Sequence, residues 1–451
     1  MQLDELTHIT RTLPGGGTIL VLNTGAIIGP EAEAMLQALH SRSIGGIQSH
    51  LEVLKKRGPE KFMSTYYVGY GHKSIGDCGS CTLFIEGVSM LAAKAVQDWP
   101  LYAGQESSTR YIDFAEQVFL NPMNTGAASA AMEKFRTFCI KGTERLFVDL
   151  QSRYPRNMDE NDTVYEKAIR ARAFDIMRGF LPAGATTNLA WHSNLRQVAD
   201  KLMTLRHHPL EEVRTLALAI EDAVLEAFPN SFSAKRYDAT ETYNKECMQS
   251  GYYFAAEEWP DFEMSHDGVN RDLFLSYRDA MSNRPAKTEL PKHMSECGTV
   301  GFRFLLDFGS FRDAQRHRAL TQRMPLLTTA HGFHPWYLNE LTPDLRKKAL
   351  ALLAEHEVFV TPLSKTAEEK QYLIPMGYRI PNRLTGTIPA LVYFAELRST
   401  RFVHPTLRVR AQQIGKALLE RFADYGLVLH FDETEDRFDI GRGTHDIVKK
   451  E

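Results

Sequence analysis

The chain has 451 residues, 43% hydrophobic and 24% charged, with a formal net charge of −3. That is globular composition, long enough for two or three sizeable cores. The near-neutral balance argues against a dedicated duplex nucleic-acid binder or a membrane-surface protein, while a local arginine cluster would still suit a small anion.

The N-terminus, "MQLDELTHIT", lacks the basic and apolar regions of a secretory signal. No apolar run approaches about 18 residues, so no spanning helix is expected. "GTILVLNTGA" (17–26) reads as a buried strand ending in a loop. "GPEAEAMLQALHSR" follows with Pro30 at a helix start and apolar residues at helical spacing. "SCTLFIEGVSMLAAKAVQDW" begins strand-like and turns into a helix. Next comes "LYAGQESSTRY" (101–111), where Glu106, Ser108 and Arg110 occupy alternate positions. If the stretch is extended, those three share a face, and a carboxylate, a hydroxyl and a guanidinium can cradle a nucleotide. A polar loop with one ion pair is the competing reading.

Long helices are expected over 127–153 and 163–180, then over about 192–205 and 214–228. Between residues 229 and 244 the periodicity stops, and "PNSFSAKRYDATETYN" reads as a linker. Strands are few and helices long, so the class is α/β of the helix-rich α+β kind. The five cysteines are odd in number and sparse, which fits reduced thiols in a cytoplasmic protein. Cys78 and Cys81 form a lone C-x-x-C without the second pair that a zinc site needs, so no metal is expected.

The chain also repeats itself. "HKSIGDCGS" (72–80) is echoed by "HMSECGT" (293–299), and "NLRQVADKLMTLRHHPLEEVR" (194–214) by "ELRSTRFVHPTLR" (396–408). Two echoes in one order imply a duplicated domain, residues 1–235 and 236–451. After the first echo the first copy reaches "QDWP" and the second reaches "QRHR".

These residues resemble the flavin-dependent thymidylate synthases, the ThyX family, whose hallmark runs R-H-R-x-x-S-x-N-E-x-S-x-R-Y. The first copy keeps its second half, Glu106, Ser108, Arg110 and Tyr111, with Asp98, Trp99 and Pro100 where R-H-R should stand. The second copy keeps Arg316, His317 and Arg318 but has Met324, Leu326 and Thr328 in place of the remainder. "HKSIGDC" resembles the family's H-x-S-x-x-E-H, with Asp77 for Glu and Cys78 for His. "RGFLP" (178–182) resembles its A-R-x-x-L-P segment, and "NLRQVADKLMTLRHHP" its N-x-R-x-L-x-x-F-x-x-L-R.

The resemblance implies reductive C5 methylation of dUMP, with methylene-tetrahydrofolate as carbon donor, FAD as cofactor, NAD(P)H as reductant and no cysteine nucleophile. It implies Glu106, Ser108, Thr109, Arg110 and Arg178 as substrate-binding residues, and Arg206 and Arg316 as catalytic guanidinium groups beside the pyrimidine. It implies Arg316, His317, Arg318, Asn194 and Ser74 as flavin contacts. Two tandem ThyX-like domains, each a small sheet packed with long helices, imply a homodimer in place of the family tetramer. The reciprocal loss implies one composite site per chain. Two alternatives stay open: a same-fold enzyme acting on another pyrimidine nucleotide such as UMP, and a non-catalytic flavin- or nucleotide-binding protein. Read alone, "QRHRALTQR" is equally a solvated basic helix face, and "TLRHHP" a helix end where cations meet the dipole.

Overall fold

The structure, a computed structural model, describes residues 8–22, 29–40, 46–69, 73–109, 112–158, 160–255 and 258–434. The first half contains β1 (His8–Thr12), β2 (Thr18–Leu22), α1 (Pro30–His40), α2 (Gly46–Arg57), β3 (Ser80–Ser89), α3 (Met90–Gln97) and β4 (Ala103–Glu106). There follow α4 (Gly126–Arg153), α5 (Asp162–Met177), β5 (Thr186–Asn194), α6 (Leu195–Leu205), α7 (Glu211–Ala227) and α8 (Asp238–Tyr252). The rest holds β6 (Phe262–Asp267), β7 (Thr299–Asp307), α9 (Phe308–Ala314), β8 (Thr321–Arg323) and α10 (Pro343–Val360). It closes with β9 (Arg379–Thr387), α11 (Ile388–Arg398) and α12 (Pro405–Phe422). The class is helix-rich α/β, two small antiparallel sheets packed with helices. No helix among the described residues is long and apolar enough to cross a membrane.

The chain forms two compact units, and they interleave along the sequence. The first takes residues 1–112 and 185–250, the second 113–184 and 251–451. The long helices α4 and α5, which precede the midpoint of the sequence, therefore lie in the second unit.

In the first unit the strand order is β1-β2-β3-β5-β4. Cross-strand pairing builds two apolar rows, Val21–Leu83–Trp191 and Ile19–Ile85–Leu189. All six side chains are buried, because alternate residues of each strand share a face. Ser89 ends β3 and caps α3, accepting from Ala92 N at 3.0 Å. The expected helix over 192–205 begins at Leu195 instead. Asn194 caps it, accepting from Gln197 N at 2.8 Å, and residues 186–194 form β5. The expected linker contains α8, which buries none of its residues and so shows no apolar periodicity in the sequence.

In the second unit the order is β6-β7-β9-β8, the order of β2-β3-β5-β4 in the first. Asp307 ends β7 and caps α9, accepting from Ser310 N at 2.9 Å. Thr125 caps α4 and Asn161 caps α5 in the same way. Gly179 follows α5 at a point where a β-carbon would stand 2.7 Å from the Tyr337 ring, so only glycine lets the chain pass there.

Among the described residues of this unit, three imidazoles are buried. Burial lowers His356 to about 4, with neither ring nitrogen hydrogen-bonded and the ring edge-on to Phe135. Burial likewise lowers His404 and His317 to about 3. Their folded values lie below the unfolded value of about 6.5, so between those limits the unfolded chain binds more protons. Their stabilising contribution is present above pH 6.5 and is lost as pH falls toward 3. At pH 5 each imidazole should cost about 2 kcal/mol. His356→Phe, which keeps a ring against Phe135, should therefore flatten the decline of melting temperature between pH 7 and 5. An unaltered slope in calorimetry would rule this account out.

Candidate active site

The second unit gathers a cluster of arginines. Arg178 follows the C-terminus of α5, Arg312 and Asp313 lie on α9, Arg316 and His317 just beyond it, and Arg398 ends α11. Burial alone would raise the Asp313 carboxyl; the fields of Arg316, Arg178, Arg398 and Arg312 override it and hold the group down at about 2. Arg316 stands 3.6 Å from Asp313 and is half exposed. Arg398 Nε donates to His317 Nε2 at 2.6 Å, so that nitrogen carries no proton. Burial first, and Arg398 second, then keep the imidazole neutral.

Arg178 is 7% exposed, and its Nε and Nη2 have no hydrogen-bond partner. Burial opposes its charge, while Asp175, Asp313 and Asp307 offset that loss and keep the guanidinium protonated. Behind it Asp307 Oδ2 accepts from Tyr337 Oη at 2.7 Å. His404 Nδ1 lies 2.9 Å from Thr406 Oγ1, and His404 Nε2 lies 3.2 Å from the Asp175 carbonyl. A buried cation with two orphaned donors is costly unless an anion completes it. The residues present therefore fit a phosphate-bearing ligand.

The first unit holds the other residues in question. Residues 103–106 form β4, so the stretch is extended as far as Glu106, which accepts from Gln97 Nε2 at 2.9 Å. Ser108 is half buried and Thr109 buried in the loop that follows. Arg110, Tyr111 and His72 lie outside the described residues. Ser74 is exposed in the turn at Lys73–Cys78. Asn194 spends its side-chain oxygen on the α6 cap. Arg206 donates from Nε to Glu241 at 2.8 Å and also faces Glu221, in a network that ties down α8.

Arg206 and Arg398 both end a "LR" pair, yet they occupy different helical phases. Arg206 is the C-cap after Leu205, whereas Arg398 is the last residue inside its helix. Both helices run eleven residues, so one position, about 100° of rotation, separates the two arginines. Arg206 meets the acidic network and Arg398 meets His317.

Sequence reasoning passed over Arg398, although it lies inside the second echo. It also passed over Lys94 and Lys201, which are buried in the first unit and pushed by burial to about 8. Lys201 Nζ donates to the Asp98 carbonyl at 2.6 Å, and Trp99 Nε1 to Gln197 Oε1 at 3.0 Å. Lys94 was detectable: it is the fifth residue after the cap Ser89, as Arg312 is after Asp307. The cysteines are free; burial pushes Cys81 and Cys139 up to about 12 and raises Cys78 and Cys297 as well, so none of these four presents a thiolate near neutral pH.

Residues 30–230 match the family model Thy1, described as thymidylate synthase complementing protein. A UPF0159 protein of Chlamydia pneumoniae is 26% identical over 442 residues, covering 84% of this chain and 82% of the relative. A UPF0159 protein of Chlamydia muridarum is 26% identical over 429 residues, covering 83% and 81%. UPF0159 protein Ta1429 of Thermoplasma acidophilum is 23% identical over 466 residues, covering 86% and 92%. Those names state no reaction.

Proposed function

We propose, from the match of residues 30–230 to the Thy1 family model, a thymidylate synthase-like enzyme that reductively methylates dUMP to dTMP. Its carbon donor is methylene-tetrahydrofolate, its cofactor FAD and its reductant NAD(P)H. The observation that carries the reading is Arg178, a buried guanidinium with two unfilled donors in one cluster with Arg316, His317 and Arg398. Arg178 would hold the nucleotide phosphate through charge-assisted hydrogen bonds, and Ser108, Thr109 and Arg110 stay candidates for substrate binding on motif position alone. Arg316 and Arg398 would stabilise negative charge developing on the pyrimidine. Arg206 stays a candidate for that role on motif position alone.

His317, Arg318, Asn194 and Ser74 would contact the flavin, which supplies hydride when bound. His317 is neutral at Nε2, so toward a ligand it can offer only the proton on Nδ1. The raised thiol values agree with chemistry that uses no cysteine nucleophile. The shared strand order of the two sheets supports a tandem duplication. The replacement of R-H-R by Asp98-Trp99-Pro100, and Cys78 in place of a histidine, favour as second reading an enzyme of this kind acting on another pyrimidine nucleotide such as UMP.

The deciding experiment incubates the protein with dUMP, methylene-tetrahydrofolate, FAD and NADPH and weighs the product. A gain of one methyl group on dUMP supports the first reading, and reaction only with UMP the second. Flavin binding without turnover of either nucleotide overturns both and leaves a binding protein. His317→Ala with Arg318→Ala should also strip the visible flavin absorbance from the purified protein. Retention of full flavin content in that double variant excludes the assignment of the basic motif.

A further inference from the structure

Helices α4 and α10 of the second unit leave an open groove between them, with a volume of about 540 Å³. Lys134 bonds to Glu355, and Arg145 Nη1 lies 2.8 Å from Asp344 Oδ2, so the two helices run antiparallel in one register. The floor of the groove is apolar: Leu345 is buried, and Phe138 and Leu352 are half-buried. Phe138 stands edge-on to Phe180 with ring centres 4.9 Å apart, which fixes its ring as a wall. Apolar carbon left half exposed in a concave site is what a ligand can remove from water.

The rim is cationic. Lys134, Lys141, Arg145 and Lys348 all line the groove. Three of them already meet carboxylates: Lys134 pairs with Glu355, while Arg145 and Lys348 share Asp344. The lining acid, Glu133, lies 2.8 Å from Arg136. Lys141 makes no ion pair among the described residues. The register of the two helices sets it opposite Lys348, so two ammonium groups line the groove across from one another. One shared carboxylate does not balance Lys141, Arg145 and Lys348, and that stretch keeps an excess of positive charge.

The dimensions narrow the choice of occupant. From Ala130 to Arg145 the groove follows α4 for about 22 Å, which leaves a mean cross-section of about 25 Å². A helix about 10 Å across needs about 80 Å², so the groove admits one extended chain and no helix. An extended peptide would set backbone N–H and C=O groups against a floor of carbon, where they find no partners. An alkyl chain carries no such groups. We propose that this groove binds a long-chain fatty acid, its carboxylate between Lys141 and Lys348 and its alkyl chain along Phe138 and Leu352 toward Ala130. A carboxylate there completes charge-assisted hydrogen bonds from Lys141, and the lysine stems add carbon to the walls. The site shares no residue with the Arg178 cluster and does not rest on the function proposed above.

The test titrates the full chain with laurate, octanoate and dodecanol, each below its micelle concentration, by calorimetry. Laurate should saturate one site and bind at least about tenfold more tightly than octanoate, because each methylene buried adds up to about fourfold. It should also bind at least about threefold more tightly than dodecanol, which lacks the charge. Lys141→Glu should remove that advantage over dodecanol and leave dodecanol itself unaffected. Thr137 lines the groove from an exposed position on α4, so Thr137→Phe fills the groove without disturbing the core and should abolish binding of both. Absence of saturable laurate binding overturns the proposal, as does equal laurate affinity in the wild type, Lys141→Glu and Thr137→Phe. Dodecanol binding as tightly as laurate overturns the anionic ligand class. A dimer that dissociates in Thr137→Phe gives the groove to a second copy of the chain and overturns the proposal as well.

Discussion

Arg178→Ala is expected to lower stability by about 3–5 kcal/mol, because it removes the cation from a buried charge cluster and leaves its partners uncompensated. Asp175, Asp307 and Asp313 all lie in the field of this one guanidinium, which is nearly inaccessible to water. The same change should weaken dUMP binding at least about tenfold, since a charge-assisted hydrogen bond carries about 1.5–3 kcal/mol. Arg178→Lys should recover most of the stability and little of the affinity: an ammonium restores the charge but lacks the planar fork. Calorimetric melting and a dUMP titration read the two effects separately. Wild-type melting temperature and affinity in Arg178→Ala would remove this residue from the site.

Cutting the chain at the sequence-repeat boundary should have a still larger effect. Residues 236–451 expressed alone are expected not to reach the native fold, and residues 1–235 alone to be inactive. The second compact unit needs residues 113–184. Leu181 and Gly179 accept backbone hydrogen bonds from Met376 and Gly377 at 2.9 and 2.7 Å, and Ala183 donates to Ile374 at 2.9 Å. The fragment 236–451 loses all of these together with α4, whose Phe135 covers His356. Near-UV circular dichroism and limited proteolysis of the purified fragments measure the outcome. A protease-resistant fragment 236–451 with a cooperative melt would refute the expectation.

Local features were legible in the sequence where one rule governs them. The strand-to-helix passage at β3 and α3, and the helices α4, α5 and α7, follow from apolar spacing and fall within a few residues of where that spacing puts them. Strand β5 was hidden, because "TTNLAWHSN" mixes polar and apolar residues and sits directly before a helical pattern. Within the candidate site, Arg178, Arg316 and His317 were readable from short motifs. Arg398 was not, since no short motif marks the helix end from which it donates to His317. The exchange of residues 113–184 into the second unit has no local signal at all. It depends on pairings between residues nearly two hundred positions apart, such as Gly179 with Gly377.

That exchange sets an order of events during synthesis. The first unit has all its residues once position 250 has left the ribosome, but residues 179–183 must wait for residues 374–377. At about 5–20 residues per second, the delay between residues 184 and 377 is on the order of 10–40 seconds. For most of that interval the part of α4 that later meets α10, Phe135 against His356, is expected to lack its partner. Chains stalled at residue 250 should therefore be cleaved between 113 and 184 while the flanking segments resist protease. The tether itself keeps the waiting segment close to where its partner will emerge.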